Sequence, residues 1–574
     1  MRDRLPHLSP PPPMDPEQGR FRFFDSIATF LKTAAATRPI LILLEDLHWA
    51  DRPSLLLLQF IAREVAAARI LIVGTYRDVD VLPGGALAEA LVALRREPVF
   101  GRIALRGLAA DEVRQLVGAA AGDVPAPFVE AICRETEGNP FFVLEMLRHS
   151  IEERMIEQQG GRWTSRRPVG GELPESVRQV LGQRLARLSA ECRQALAVAA
   201  VIGREFDPQT LARAIGVDTS GIDGLLDEAK AAHVIDRLSR SPARYGFTHA
   251  LFREALYGGL ETSERRRLHL RVGTALEALY ATSRTGHLAE LAHHFTESGP
   301  EGDVAKAVDY ATRAGEQALS SFAYEEAAEH FERALRGLEL GEAPRARVCD
   351  LLLALGEAQR RSGEHDESHA TLARAADLAR ELGDAERLAR AALGSSATSF
   401  GSAWWGEGAR EGRVDEAVVR LLEEARAALG ERPSELRART ATRLARELFW
   451  LPASAERCAA LSLEAVEIAR RVGDPTEVAA ALQGRHFTLQ GLGPDYADER
   501  LALGRDAVRL AHHARDRELE LDARVLVLFD LMDGADRAAI DQALDEYAAL
   551  AADLRQPAHL WFADVVRSTR AFLD

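Results

Sequence analysis

The apolar positions of this chain begin at a helical period, switch to short continuous runs, and return to helical spacing for most of its length. From Phe21 to Ala36, the residues Phe24, Ile27, Ala28, Leu31 and Ala35 recur as on one face of a helix. Pro39 ends that pattern, and Ile40 to Leu44 is apolar at every position before Glu45-Asp46. Such a run predicts a strand covered on both faces, as in a parallel sheet. Pro53 stands where a first helical turn begins, so 54–67 reads as a helix. Ile70 to Val73 then reads as a second buried strand, 84–96 as a helix, and Ile103 to Leu105 as a short third strand. This alternation predicts part of a doubly wound α/β domain.

After Leu108 the pattern is helical without strands. Helices are expected over 111–121 and 128–136, then from Phe141 after the turn Gly138-Asn139-Pro140. Residues 160–172, rich in Gly and Arg, read as a loop. Helices at 175–188, 190–202, 208–215 and 219–232 precede a strand from Val234 to Leu238. A turn over 239–243 and a second strand from Arg244 to Thr248 follow. Helices followed by a hairpin are the order of a winged helix.

Beyond Glu264 the chain reads as helical hairpins with an internal repeat. Gly315-Glu316 corresponds to Gly356-Glu357, Ala327 to Ser368, Phe331 to Leu372 and Ala334 to Ala375, each at an offset of 41. Hairpin ends recur at Glu381-Leu382-Gly383-Asp384, Leu429-Gly430-Glu431-Arg432, Arg471-Val472-Gly473-Asp474 and Ala514-Arg515-Asp516, spaced by 42 to 48. The alternation of small and large positions fits a tetratricopeptide-like hairpin, and such hairpins bury their faces only by stacking into a superhelix. No polar capping helix precedes Asp574, so the array is expected to be cut short.

Composition narrows the function classes. A chain of 574 residues should split into roughly three to five domains. Its 47% hydrophobic content supports buried cores, and its formal charge of -16 gives no general attraction to nucleic acid or anionic membrane. Cys133, Cys192, Cys349 and Cys458 form no CxxC pair and read as free, mostly buried thiols. No apolar run reaches the length of a membrane span, and Pro10 to Pro13 stand where a signal peptide needs an apolar core. A cytoplasmic protein with no membrane association is expected. Lysine occurs only at Lys32, Lys230 and Lys306.

The candidate chemistry starts at Leu41 to Asp51, LILLEDLHWAD. Two carboxylates at the C-terminal end of a buried strand lie where α/β sheets bind ligands. One such acid helps hold Mg²⁺ in phosphoryl-transfer sites, and its neighbour orients the attacking water. Arg77 after the next strand is the residue type that reaches a γ-phosphate. Asp51 before Arg52-Pro53 reads as a helix cap and Trp49 as a core anchor. His287, His293 and His294 share a helical segment and read as a solvated helix face.

LEDLHWAD (Leu44 to Asp51), GTYRD (Gly74 to Asp78), TEGNPFF (Thr136 to Phe142) and FTHALFREALY (Phe247 to Tyr257) resemble the motifs of the STAND ATPases, in that family's order. The likeness is to the large ATP-binding LuxR-type regulators and the ATPases associated with soluble adenylyl cyclase, and it spans essentially the whole chain. It implies a mainly α protein with a partial α/β P-loop NTPase core at 20–108 after a Pro-rich lead-in at 1–19. A helical lid at 109–160, a winged helix at 173–260 and a tetratricopeptide-like α-solenoid at 264–574 complete it. It implies ATP or ADP with Mg²⁺ as cofactor, with Glu45 and Asp46 as the Walker B acids that hold the metal through the nucleotide, and Arg77 as sensor arginine. Gly138, Asn139 and Pro140 would form the turn against base and ribose, and His249 would read a bound ADP phosphate. Beside these, Pro140 also reads as a plain helix start, and His249, after the good cap Thr248, as a packing histidine.

The chain departs from the family in one respect. A phosphate-binding loop needs GxxxxGK[ST], and none of the three lysines has the required glycine. Only 40 residues precede Leu41, with Gly19 their one glycine. The first strand and its loop are expected to be missing, the sheet to have an open edge, and the chain alone to be inactive. The resulting expectation is a fragment of a nucleotide-regulated signalling ATPase or transcriptional regulator, whose repeats sense a protein partner or small-molecule inducer. Its effector would be a LuxR-type DNA-binding, cyclase or kinase domain outside this chain. The alternatives are a nucleotide-free scaffold and direct DNA binding by the winged helix. In the last case helix 219–232 would have to read phosphates with Asp223, Asp227 and Glu228 against Lys230 alone, a poor match.

Overall fold

The computed structural model describes residues 16–572 apart from 79–80, 123, 153–155, 160–161, 166–176, 239–240, 282–283, 340–342, 396–414 and 535. The chain divides into two compact units, one of residues 1–99 with 312–574 and one of residues 100–311. It is mainly α, with a small parallel sheet near its start.

The N-terminal part runs α1 (Pro16–Thr37), β1 (Ile40–Leu44), α2 (Arg52–Glu64), β2 (Ile70–Gly74) and α3 (Ala86–Leu94). Asp51 caps α2 by accepting a 2.7 Å hydrogen bond from the Ser54 N–H, which fixes where the helix starts. β1 and β2 pair in parallel, with Ile40 opposite Ile70 and Leu44 opposite Gly74. Two expectations fail here. The strands are not covered on both faces: Leu41, Leu43 and Leu71 are 67%, 51% and 61% exposed. Only the face carrying Ile40, Ile42 and Ile72 is partly covered. Ile103 to Leu105 forms no strand, and Ile103 and Leu105 are almost fully exposed. A continuous apolar run is stable as a strand between neighbours on both sides, and among the described residues this sheet has two strands only.

α1 also begins earlier than expected, taking in residues 16–19 of the Pro-rich lead-in; residues 1–15 lie outside the described residues. Gly19 is buried against Phe322, whose ring would stand 2.2 Å from an added Cβ. On the same helix Arg20 pairs with Glu325 at 2.9 Å, Arg22 with Glu518 at 3.1 Å, and Asp25 with Arg555 at 3.0 Å. One helix thus touches repeats from both ends of the C-terminal array.

The second unit opens with α4 (Ala110–Ala121), α5 (Ala126–Thr136) and α6 (Pro140–Glu152), packed through Val113, Val117, Phe128, Ile132, Val143 and Met146. A hairpin of β3 (Ile156–Gln159) and β4 (Arg162–Ser165) follows. Residues 162–165, expected in a loop, are therefore a strand; 160–161 and 166–172 lie outside the described residues. Then come α7 (Val177–Ala186), α8 (Ala190–Ile202), β5 (Glu205–Phe206), α9 (Pro208–Ile215), α10 (Thr219–Ala231), β6 (Ile235–Leu238) and β7 (Ser241–Phe247). The three strands form an antiparallel sheet in the order β5-β7-β6, beside the helices α8, α9 and α10. The two-residue β5 has no pattern signal of its own. The unit continues with α11 (Ala250–Gly258), α12 (Thr262–Leu279) and α13 (Leu288–Glu297).

The repeats are helical hairpins. α14 (Val304–Ser320) pairs with α15 (Tyr324–Glu339), α16 (Arg345–Ser362) with α17 (His365–Leu382), and α18 (Ala385–Ser395) with α19 (Glu416–Ala428). α20 (Glu435–Leu448) and α21 (Ala455–Val472), α22 (Pro475–Leu489) and α23 (Ala497–Ala514), α24 (Arg517–Gly534) and α25 (Arg537–Leu554), and finally α26 (Pro557–Phe572) complete the array. The repeat seen in sequence has a packing cause. A Cβ on Gly315 would stand 2.7 Å from the Phe331 ring, and one on Gly356 2.6 Å from Leu372 Cγ. In both hairpins the large residue fills the space that the glycine leaves.

The recurrent hairpin ends have one as well. Gly383, Gly473 and Arg515 have φ of 65°, 88° and 60°, the left-handed conformation that ends helices. The Asp384 N–H reaches back to the Ala379 carbonyl at 3.0 Å, and the Asp516 N–H to Ala511 at 3.0 Å. The same aspartates then cap the next helix, Asp384 accepting from the Arg387 N–H and Asp516 from the Leu519 N–H. A left-handed residue followed by aspartate closes one helix and opens another. Among the described residues, no single helix is long and apolar enough to cross a membrane.

Candidate functional site

Glu45 and Asp46 follow the last residue of β1, and Arg77 lies three residues after β2. Because the strands are parallel neighbours in register, all three are at the same end of the sheet. Asp46 adopts the left-handed conformation, φ 58° and ψ 46°, at the start of a single 3-10 turn over Leu47–Trp49. Thr75 holds that turn. Its Oγ1 accepts from the Asp46 N–H at 3.1 Å, its carbonyl accepts from the Leu47 N–H at 2.8 Å, and its own N–H donates to the Leu44 carbonyl at 2.9 Å. Beside it, an added Cβ on Gly74 would meet Leu47 Cδ1 at 2.5 Å and displace that side chain. Aspartate tolerates this backbone better than most residues, so the carboxylates are presented on a clasped turn. Thr75, two residues before Arg77, fixes the backbone of this turn.

Glu45 is exposed and Asp46 half-buried. Two hard oxygen donors at a strand end fit Mg²⁺. The phosphate cradle fits less well, because Lys32 pairs with Glu64 at 2.9 Å, Lys306 pairs with Glu277 at 2.7 Å, and Lys230 stands on α10. Trp49, expected in the core, is 54% exposed and lies against His48 with ring centres 4.8 Å apart. The turn that presents Asp46 also turns Trp49 outward.

In the second unit Gly138 has φ 71°, and an added Cβ would come 2.1 Å from the Leu108 carbonyl. The Leu108 N–H donates to the Gly138 carbonyl at 2.8 Å. Asn139 Oδ1 accepts from the Phe141 and Phe142 N–H groups at 3.1 and 3.4 Å, and Pro140 is the first residue of α6. The Gly-Asn-Pro turn is therefore a helix start docked on the 107–108 backbone. His249 is itself the cap of α11, its Nδ1 accepting from the Leu251 N–H at 3.2 Å. Thr248, the cap expected from sequence, instead donates through Oγ1 to the His233 carbonyl at 2.7 Å. The His249 ring stacks on Phe141, with centres 3.9 Å apart and planes at 13°. Two motifs more than 100 residues apart in sequence thus meet through Phe141, whose only signal was its place after the proline.

Glu228 on α10 accepts from the Ser189 N–H at 2.6 Å and from its hydroxyl at 2.7 Å, bonds that hold its carboxyl below its usual range. The acidic helix is tied to the start of α8. The histidine segment differs from its sequence reading. His287 stacks on Tyr280 at 3.4 Å, while His294 is buried and bonded to His269 of α12. Burial lowers His269 to about 4 and His294 to about 3, with His293 nearby adding to both.

Residues 2–73 match the family model described as AAA ATPase domain. That stretch includes Glu45 and Asp46 and ends before Arg77. An uncharacterized protein of Rhizobium meliloti (strain 1021) is 29% identical over 333 residues, covering 56% of this chain and 30% of that protein. The match thus spans less than a third of the curated relative's length. Among solved structures, a STAND protein with a tetratricopeptide repeat sensor from Pyrococcus horikoshii aligns over 96% of this chain and 80% of its own, at 12% identity and a TM-score of 0.36. Yeast Tom70 aligns over 97% and 94%, at 12% identity and a TM-score of 0.30. The chain is similar to AAA ATPase domains over residues 2–73, and a tetratricopeptide-like helical array forms its C-terminal part.

Proposed function

We propose that this chain is the switch and sensor portion of a STAND-type signalling ATPase. Glu45 and Asp46 act as the acids that hold Mg²⁺ on a bound nucleotide, and Arg77 faces the terminal phosphate. The observation that carries this reading is the clasped Glu45-Asp46 turn at the end of a parallel strand, inside the stretch similar to AAA ATPase domains. Gly138, Asn139 and Pro140 serve as the turn against base and ribose, and His249 reads the nucleotide state through its stack on Phe141. The repeats take a protein partner or small-molecule inducer, and the output is passed to an effector domain outside this chain. The winged-helix module works within the molecule, since α10 sets Asp223, Asp227 and Glu228 against Lys230 alone. A cytoplasmic location follows from this role.

Calorimetric titration with ATP and Mg²⁺ tests the reading. The 574-residue chain should bind weakly and hydrolyse nothing measurable. A form carrying a strand and GxxxxGK[ST] loop ahead of α1 should bind, and Asp46→Asn should abolish its turnover. Failure of the extended form to bind ATP would falsify the switch.

A second reading is favoured by the carboxylate pairing of Lys32 and Lys306: a nucleotide-free scaffold that works only through its repeats. It predicts that partner capture by the full chain is unchanged by ATP, ADP or Asp46→Asn.

A further inference from the structure

His269, His293 and His294 each offer a ring nitrogen, and these atoms lie within 4.8 Å of one another. The ring centres form a nearly regular triangle, at 5.4 Å for His269–His293, 5.1 Å for His269–His294 and 5.2 Å for His293–His294. His269 and His294 are each 1% exposed, whereas His293 is exposed. The close approach of the two helices has a local cause. Gly273, one turn after His269 on α12, would bring an added Cβ to 3.3 Å from His294 Cβ and 3.5 Å from the Phe295 ring.

We propose that His269, His293 and His294 form a binding site for a divalent cation of the zinc class, joining α12 to α13. His269 Nδ1 and His294 Nδ1 are 3.0 Å apart. Two imidazoles bound tetrahedrally at about 2.0–2.1 Å place their nitrogens about 3.3 Å apart, so a small separation of the rings admits the ion. His269 Nε2 lies 3.0 Å from Tyr257 Oη. In the metal-binding tautomer that oxygen accepts the Nε2–H and the Nδ1 lone pair faces His294, as outer partners commonly orient metal-bound imidazoles. On binding, the proton shared between the two Nδ1 atoms leaves His294 Nδ1 for solvent or for Nε2 of the same ring. A donor set of imidazoles alone suits Zn²⁺ and its neighbours rather than Mg²⁺ or Ca²⁺. The exposure of His293 leaves a remaining position open to water.

The test uses the full chain stripped with a chelator and titrated with Zn²⁺ against a chromophoric competitor, with Co²⁺ as spectroscopic probe. A single saturable equivalent and an intense tetrahedral Co²⁺ spectrum are expected. Tyr257→Phe should weaken Zn²⁺ by about tenfold, as loss of an outer partner does, and His293→Asn by more than that. The metal-free melting temperature of His293→Asn serves as its own baseline, and only the parent should gain thermal stability with Zn²⁺. Unsaturable binding, or equal affinity in the parent, His293→Asn and His294→Gln proteins, would reduce the cluster to hydrogen-bonded rings and overturn the site.

Discussion

The strand pair and the repeat array are both built from apolar segments, yet they end up differently covered. In β1 and β2 the outward residues Leu41, Leu43 and Leu71 are more than half exposed. In the hairpins Phe331 and Leu372 are 0% and 2% exposed, each against a glycine of the partner helix. The difference lies in where the neighbours come from. A helical hairpin finds its partner within the next 20 or so residues, whereas a strand of a parallel sheet needs crossovers and strands from distant parts of the chain. Local sequence completes the first kind of element and cannot complete the second.

Four measurements would break or sharpen this contrast, from the largest expected effect to the smallest. Phe331→Ala opens a cavity between α14 and α15 and should cost about 3–5 kcal/mol in urea unfolding; a cost below about 1 kcal/mol would mean the repeat core is not close-packed. Acidification should come next. Burial lowers His559, beside Tyr547, to about 4 from its ordinary 6.5. Below pH 6.5 the unfolded chain takes up a proton that the folded ring refuses. Stability is therefore fully present above pH 6.5 and falls toward pH 4 by up to about 1.4 kcal/mol per pH unit for this group. His559→Gln should flatten the slope; an unchanged slope would remove His559 from it. Gly356→Val should destabilise by about 1–3 kcal/mol through its clash with Leu372, and pairing it with Leu372→Ala should recover part of that. Leu41→Ser and Leu43→Ser should stay within about 0.5 kcal/mol. A much larger loss would show that this face of the sheet is covered in solution.

Much of the local geometry at the candidate site was legible because its signals are local. The cap at Asp51, the apolar run before Glu45-Asp46 and the turn at Gly138 depend on residues within a few positions, and the structure places each at an element boundary. The Thr75 clasp and the Phe141–His249 stack were not legible, because each joins residues separated by at least 29 positions. His294, read together with His287 and His293 as a solvated face, is buried for the same reason: its partner His269 lies on another helix.

The sequence by itself determined the helical content, the two strands, the hairpin repeat and its ends, since helical period, glycine at left-handed positions and aspartate caps act over a few residues. Tertiary structure alone decided that one face of the strand pair stays open, that Trp49 turns outward, and that α1 bridges repeats at Glu325 and Glu518. Those outcomes depend on which distant surfaces meet, and burial free energy is set by the neighbour as much as by the residue. An apolar residue specifies that it should be covered, but its partner must come from elsewhere in the fold.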